Sequence, residues 1–562
     1  MSKNMKEIQF DTVSYDSWKE HAITALKGKP FESLFTKTIE GLTLEPLYTQ
    51  EKLFEKLGEQ LDKQVSTIRS LREDTTFKVA QQVYAASSEE FLHDLKESLA
   101  RGNEVVTVDS RVVFDWDKET LQQLAQYFTE YSFKLTVQGP DDALLSVFDF
   151  VQHKEITGLV LSPVAVTVDF PNVRTIAADT LPFHNKGANA IQELALALAL
   201  AAKYADEAQS FETFASKFFV TFGIDTQFFT EIAKLRAFKV LWKAFMSAYG
   251  VTEDFIVPTV AETSVRSYSK LDVYVNLLRG GNEALSGAIG GAEYFTVHPH
   301  DVLTKPTGQS VRIARNVSLI LKEETHVMRV TDPAGGSYFI ESLTADFVKE
   351  AWALFLTIQS KGGFDAFKAS GELQAMLDET YQQRTKAIET RKTSLIGTNI
   401  YANPADELPT DTNPVFEDVL RLALPFETLR AAYVAAQPKV AILTYGELKD
   451  FKPRADFVAG VVNTVGVIAS QSGALQTVEE AQAWLKQTDA NYVVIAATND
   501  NTEMLVPQLV EVKPAGMQLD VAGKFAQLAD WQQAGLDGAV FAGQNIIEKL
   551  HTVLQGMKEV QQ

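Results

Sequence analysis

Nine ionisable residues stand where short apolar runs give way to loops: Asp109 with Arg111, Asp179 with His184, Asp225, Glu262 with Arg266, and His298 with His300. A carboxylate close to an imidazole offers general acid–base chemistry. Two histidines at period-two spacing, as in His298-Pro-His300, can put both rings on one face and begin a metal site. Each has a plainer reading. Asp109 and Asp179 suit loop caps, and His298 and His300 have no third ligand in view. His184, in Pro182-Phe-His-Asn-Lys-Gly187, sits where a strand turns into a helix, a place for capping or packing as much as for a base. No nucleophile–base–orienter triad is legible. Gly280, Gly281, Gly287, Gly290 and Gly291 precede the run Tyr294–Val297 without a phosphate-binding fingerprint and read as close helix–sheet approach.

The elements that must position these residues alternate from about residue 77 onward. Strand-like runs begin at Phe77, Glu104, Lys134, Gly158, Val173, Phe218, Asp254 and Tyr294, with helical patterns such as Glu89–Leu99, Leu121–Tyr131, Ala143–Val151, Asn189–Ala205, Phe228–Ala248 and Leu271–Ile289 between them. Eight strand–helix units over roughly 250 residues predict a (β/α)8 TIM-type barrel, with an open sheet as the alternative. Helices over Ala345–Ser360 and Ala375–Thr390 follow, then a turn-rich, aperiodic stretch from Gly397 to Pro414. Beyond Pro438 five apolar runs, starting at Lys439, Gly466, Tyr492, Met517 and Gly538, predict a flavodoxin-like doubly wound parallel sheet. The expected division is a helical arm over 1–70, a barrel over 71–390, a connector over 391–436 and a second α/β domain over 437–562. The arm has too few apolar positions for a core of its own, so it must lie on this chain or on a partner.

Composition narrows the function. The 562 residues are 46% hydrophobic and carry 52 basic against 73 acidic side chains, net −21. That balance argues against nucleic acid and anionic membrane as partners. With no Cys, thiol nucleophiles, Cys-ligated zinc and iron–sulfur clusters are excluded. No apolar run reaches the 18 or so residues of a bilayer span, and the expectation is a cytoplasmic protein. The loop after Lys439–Leu443 has neither a G-x-G-x-x-G nor a P-loop pattern, and no histidine occurs between His326 and His551. Any cofactor on the second domain would lack imidazole ligation.

Several stretches together resemble the adenosylcobalamin-dependent acyl-CoA mutases, most closely the small (β) subunits of methylmalonyl-CoA mutase. They are Tyr15–Trp18, Leu47–Thr49, Val79–Gln81, His184–Ala188 running into Gln192–Leu194, Glu231–Arg236, Val275–Arg279, Gly290–Ala292, Arg312–Asn316, Val330–Ser337 and Leu395–Asn399. The resemblance covers nearly the whole chain and implies a CoA-threading barrel joined to a flavodoxin-like cobalamin domain. It also exposes departures. Catalytic members carry a D-x-H-x-x-G loop whose His ligates cobalt, and the corresponding Thr444–Phe451 has no His. Their substrate-gripping stretch is absent between Leu47 and Phe77, Pro182 stands near the position of a catalytic His, and a Thr-Ser-Gly-Trp segment is here Thr263-Ser-Val-Arg266.

The resemblance therefore implies a non-catalytic, stabilising subunit of a heterodimer. The partner would be a catalytic large (α) subunit that binds adenosylcobalamin and the CoA ester, the complex interconverting succinyl-CoA and methylmalonyl-CoA. On this chain no residue is assigned as catalytic, cofactor-binding or metal-ligating, and the arm would wrap the partner. The alternative is a self-sufficient acyl-CoA isomerase that binds cobalamin without a lower axial His, or other barrel chemistry built on His298 and His300.

Overall fold

The structure, a computed structural model, describes residues 13–559. Residues 1–12 of the expected arm and 560–562 at the far end lie outside the described residues.

Eight parallel strand positions close on themselves. They are β1 (Lys78–Val79), β2 (Val105–Asp109), β3 (Ser132–Thr136), β4 (Gly158–Leu161), β5 (Val173–Arg174 continuing as Ile176–Asp179), β6 (Phe218–Ile224), β7 (Thr259–Thr263) and β8 (Tyr294–Thr296). Each pairs with the next, and β8 pairs back onto β1 through Tyr294↔Lys78 and Phe295↔Val79. The β1–β2 contact is a single bridge, Gln82↔Thr107, helped by the Glu104 amide donating to the Val79 carbonyl.

Period-two alternation divides each strand between the barrel axis and the helices. Val106 and Val108 of β2, and Phe218, Val220, Phe222 and Ile224 of β6, face outward into the helix layer. Ala80, Val105, Leu159, Leu161, Phe219, Val260 and Tyr294 form a separate cluster along the axis. The outer helices include Ser88–Ala100, Lys118–Tyr127, Ala190–Glu207, Phe228–Ala248, Val275–Gly290 and Gly308–Glu324, while β3 is followed by the 3-10 turn Ala143–Phe150 and β4 by a loop.

The alternation differs from expectation in three places. The seventh strand is Thr259–Thr263 rather than the run from Asp254, because Glu262 enters the polar layer of the barrel axis while Thr259 is held by Lys239 and Glu293. The helix Gly308–Glu324, announced by the Thr307/Ser310 capping box, closes the circuit, and its arginines had hidden its apolar face. Leu424–Ala436 is a further helix inside the expected connector. Of the glycines read as close helix–sheet approach, Gly287 fits, since a Cβ there would come within 2.2 Å of the Phe295 ring. A Cβ on Gly290 would instead come within 2.8 Å of Leu235 on a neighbouring helix, and one on Gly281 would meet nothing within 4 Å.

Of the N-terminal region, the helices Gln50–Leu57 and Gln60–Ser70 rest on this chain's own barrel. Leu53 and Ile68 are buried, and Gln64 donates to the Glu341 carboxylate at 2.6 Å. The helix Tyr15–Ala25 buries no residue.

Five further strands, β9 (Val440–Thr444), β10 (Ser470–Gln471), β11 (Tyr492–Ala496), β12 (Gln518–Ala522) and β13 (Gly538–Val540), make one parallel sheet in the order β10-β9-β11-β12-β13. Apolar clusters cover both faces, as a doubly wound sheet requires. The stretch between the two sheets is irregular but firmly held. Arg111 donates to Val415 O, the Asn413 amide to Leu303 O, the Leu420 amide to Asn185 O and the Leu422 amide to Arg266 O, while Arg421 and Glu427 form a buried bidentate pair.

Candidate functional site

Barrel chemistry is built at the strand C-termini, and most of the ionisable residues singled out from the sequence do gather there, in two separate networks.

The first fills the axis. Above the apolar plug of Leu159, Leu161, Phe219, Val260 and Tyr294 lies a charged layer in which Glu262 meets Lys134 at 3.6 Å and His298 Nε2 at 3.3 Å. Tyr84 contacts His298 Nδ1 at 3.3 Å, and Asp179 accepts from Thr221. Arg111 folds back as a fork onto Asp109, at 2.9 and 2.6 Å. Although burial alone would raise Glu262, the Lys134 ammonium and His298 beside it hold its carboxyl down at about 2. Asp179, with Lys134 a lesser influence, is pushed by burial up to about 6. These side chains satisfy one another in the space a substrate would use.

The second network lies between the barrel wall and its helices. His184 is 1% exposed; its Nδ1 meets Glu193 Oε1 at 2.8 Å and its Nε2 meets Ser264 Oγ at 2.7 Å. This corrects the expectation that no nucleophile–base–orienter arrangement exists: the order Ser–His–Glu is present, with His184 and Glu193 from neighbouring helices and Ser264 from a distant strand end. It is sealed, since Ser264 and Glu193 are 2% and 1% exposed. Gly223 backs onto the ring, where a Cβ would come within 2.6 Å of the imidazole. Burial, then the Arg266 guanidinium, pushes His184 down to about 4, so it is neutral. Lys234 bridges Glu193 and Glu231 at 3.4 and 2.6 Å. Arg266 binds Asp225 and the carbonyls of His184 and Ala188, holding the Asp225 carboxyl far below its ordinary range despite burial.

The two neighbouring histidines part company. His298 enters the axial network, whereas His300 stacks on Tyr274 with ring centroids 5.2 Å apart. Among the described residues the group able to gather ligand atoms for a metal is instead His93, Asp94 and Glu97 on the first outer helix, which sequence reasoning missed. Their i, i+1, i+4 spacing was the available signal.

On the second sheet, the ligand position is the crevice beyond β9. There the Thr444 hydroxyl donates to Gly473 O, the Tyr445 hydroxyl to Gln476 O, and Arg454 reaches across to Ala497 O and Asn499. No imidazole is available; the one histidine of this half, His551, sits on the last helix beside Gln555. The donor set does not fit a corrinoid held from below by histidine.

A closed parallel barrel followed by a sheet of order 2-1-3-4-5 is the two-part architecture that the resemblance to the acyl-CoA mutases implies. A family model described as methylmalonyl-CoA mutase matches residues 164–423. The methylmalonyl-CoA mutase small subunit of Porphyromonas gingivalis is 28% identical over 610 residues, covering 98% of both chains. That of Propionibacterium freudenreichii subsp. shermanii is 32% identical over 408 residues, covering 68% of this chain and 63% of its own. The methylmalonyl-CoA mutase of Cereibacter sphaeroides is 30% identical over 461 residues, covering 69% and 64%. The chain thus spans less than two thirds of the latter two. It belongs to the methylmalonyl-CoA mutase family.

Proposed function

We propose that this chain is the non-catalytic small subunit of a two-chain methylmalonyl-CoA mutase. It stabilises a large subunit that holds adenosylcobalamin and isomerises succinyl-CoA and methylmalonyl-CoA in the cytoplasm. The observation that carries the reading is the occupied barrel axis. A CoA thioester would have to displace the buried Phe219, Tyr294, Lys134 and His298 and the partly exposed Glu262 that joins the last two. The histidine-free Thr444–Phe451 loop supports the same conclusion, because cobalt–carbon homolysis needs an axially ligated, water-excluding site. Names of the small-subunit relatives supply the partner. In this reading the parts are an arm over 1–70, a barrel over 71–390, a connector over 391–436 and a cobalamin-like domain over 437–562. The partner-facing part of the arm is the helix Tyr15–Ala25, none of whose residues is fully buried on its own chain although Trp18 meets Phe31 and Tyr15 meets Glu45.

The test has two arms. Titrating the purified chain with adenosylcobalamin is expected to leave the corrin absorbance unchanged, and co-expression with a histidine-bearing large chain to give a one-to-one complex with mutase activity. Micromolar corrinoid binding by the isolated chain, or mutase activity without a partner, would overturn the reading.

A further inference from the structure

A cleft of about 710 Å³ opens on the outside of the barrel, between the helix Ser88–Ala100 that follows β1 and the helix Gly308–Glu324 that follows β8. Its walls are divided by charge. One carries Glu90, Asp94 and Glu97, with Arg101 at its end; the other carries Arg312 and Arg315.

Arg315 is the unusual member. It is 5% exposed, yet among the described residues its only side-chain partner is the Ser98 hydroxyl at 3.3 Å, and its Nε has none. A buried guanidinium without an anion is costly, because burial disfavours its charge and its donors go unused. Burial and the nearby Arg101 and Arg312 pull its pKa below the ordinary value. The helix it stands on has 17 residues and begins at the same cleft: Thr307 caps the Ser310 amide, and Gly308 and Gln309, whose amides remain available, line the opening. Guanidiniums and a helix N-terminus together recognise phosphate.

The acidic wall has its own logic. Glu90 is occupied by the Ala86 amide at 2.8 Å, and Glu97 touches Arg101 at 3.1 Å. Asp94 and Glu97, with His93, still bring ligand atoms within 4.8 Å of one another. A magnesium ion takes one or two carboxylates together with phosphate oxygens and water, which is what an acidic wall facing an arginine wall offers. The cleft has the volume of an ordinary small-ligand site.

We propose that this cleft binds a phosphate group as its magnesium complex, the metal on Asp94 and Glu97 and the phosphate on Arg312, Arg315 and the Gly308 and Gln309 amides. The inference is independent of the small-subunit reading.

Calorimetric titration of the full chain with pyrophosphate tests it, with magnesium chloride and again in EDTA. Saturable binding is expected with magnesium, weaker by about tenfold or more in EDTA. Arg312→Ala, an exposed position that leaves the fold alone, is expected to weaken binding by a similar factor, and Arg315→Met to abolish it. Asp94→Asn should erase the difference between the two buffers. Absence of binding with magnesium, equal binding in EDTA, or undiminished binding by Arg312→Ala would each overturn the proposal.

Discussion

His184 Nε2 lies 2.7 Å from Ser264 Oγ, the separation at which an imidazole activates a serine, yet both residues are at most 2% exposed. The arrangement has the order of a hydrolytic triad without an approach for a substrate. Ser264 is therefore expected to resist a fluorophosphonate probe, with intact-protein mass spectrometry showing no adduct on the folded chain. Labelling at Ser264 would mean that the network opens.

Within the same network, Glu193→Gln removes the carboxylate that both His184 and Lys234 rely on. Breaking a buried ionic group on one side costs about 3–5 kcal/mol. Urea unfolding should show that loss as a lower midpoint at unchanged slope; a loss under about 1 kcal/mol would mean the network relaxes freely.

Two buried groups titrate in opposite senses. His184, neutral in the fold, binds its proton only near pH 4 against 6.5 when unfolded, so its contribution is full above 6.5 and falls as the pH drops toward 4. Asp179, raised to about 6 from 3.8, stays protonated in the fold where the unfolded chain ionises, so its contribution grows as the pH drops from 6 to 3.8. Each effect is of the order of 3 kcal/mol at about 1.4 kcal/mol per pH unit. Relative to the parent chain, His184→Asn should gain stability on acidification from pH 6.5 to 4, and Asp179→Asn should lose it. Equal slopes for the parent and both variants in urea unfolding at pH 4, 5, 6 and 7 would refute the assignment.

Gly287 lies flat against Phe295, and a methyl group there would sit 2.2 Å from the ring. Gly287→Ala is expected to destabilise by about 1–3 kcal/mol through overpacking. Gly281, with nothing within 4 Å of its own added Cβ, is the control. Gly281→Ala sits mid-helix and should be neutral or stabilising, because alanine loses less conformational freedom there.

The barrel axis gives a last prediction. Phe219→Ala leaves a cavity and should cost about 3–5 kcal/mol, without conferring affinity for a CoA thioester, because the charged layer above it remains. Tight CoA-ester binding by this variant in equilibrium dialysis would show the axis to be a blocked channel that a single truncation reopens.

Much of this could be read from the chain itself. The β2, β4, β6 and β11 positions announce themselves as apolar runs because both faces of a parallel strand are covered. The seventh strand slips by five residues because Glu262 points into the polar axis, whereas the more apolar Phe255–Val257 lies outside any strand. What stayed hidden is contact between distant segments. Ser264 stands far along the chain from His184, and Arg315 far from Asp94. A parallel fold brings such residues together only through its strand pairing, and for Arg315 and Asp94 only when the circuit closes, which no short-range signal encodes.

The segment between the two sheets, bonded through Asn413, Val415, Leu420 and Leu422 to loops at the barrel mouth, behaves as a splint rather than a tether. A protease seeking a slack hinge between residues 413 and 422 finds its substrate already clamped to Arg111, Asn185 and Arg266.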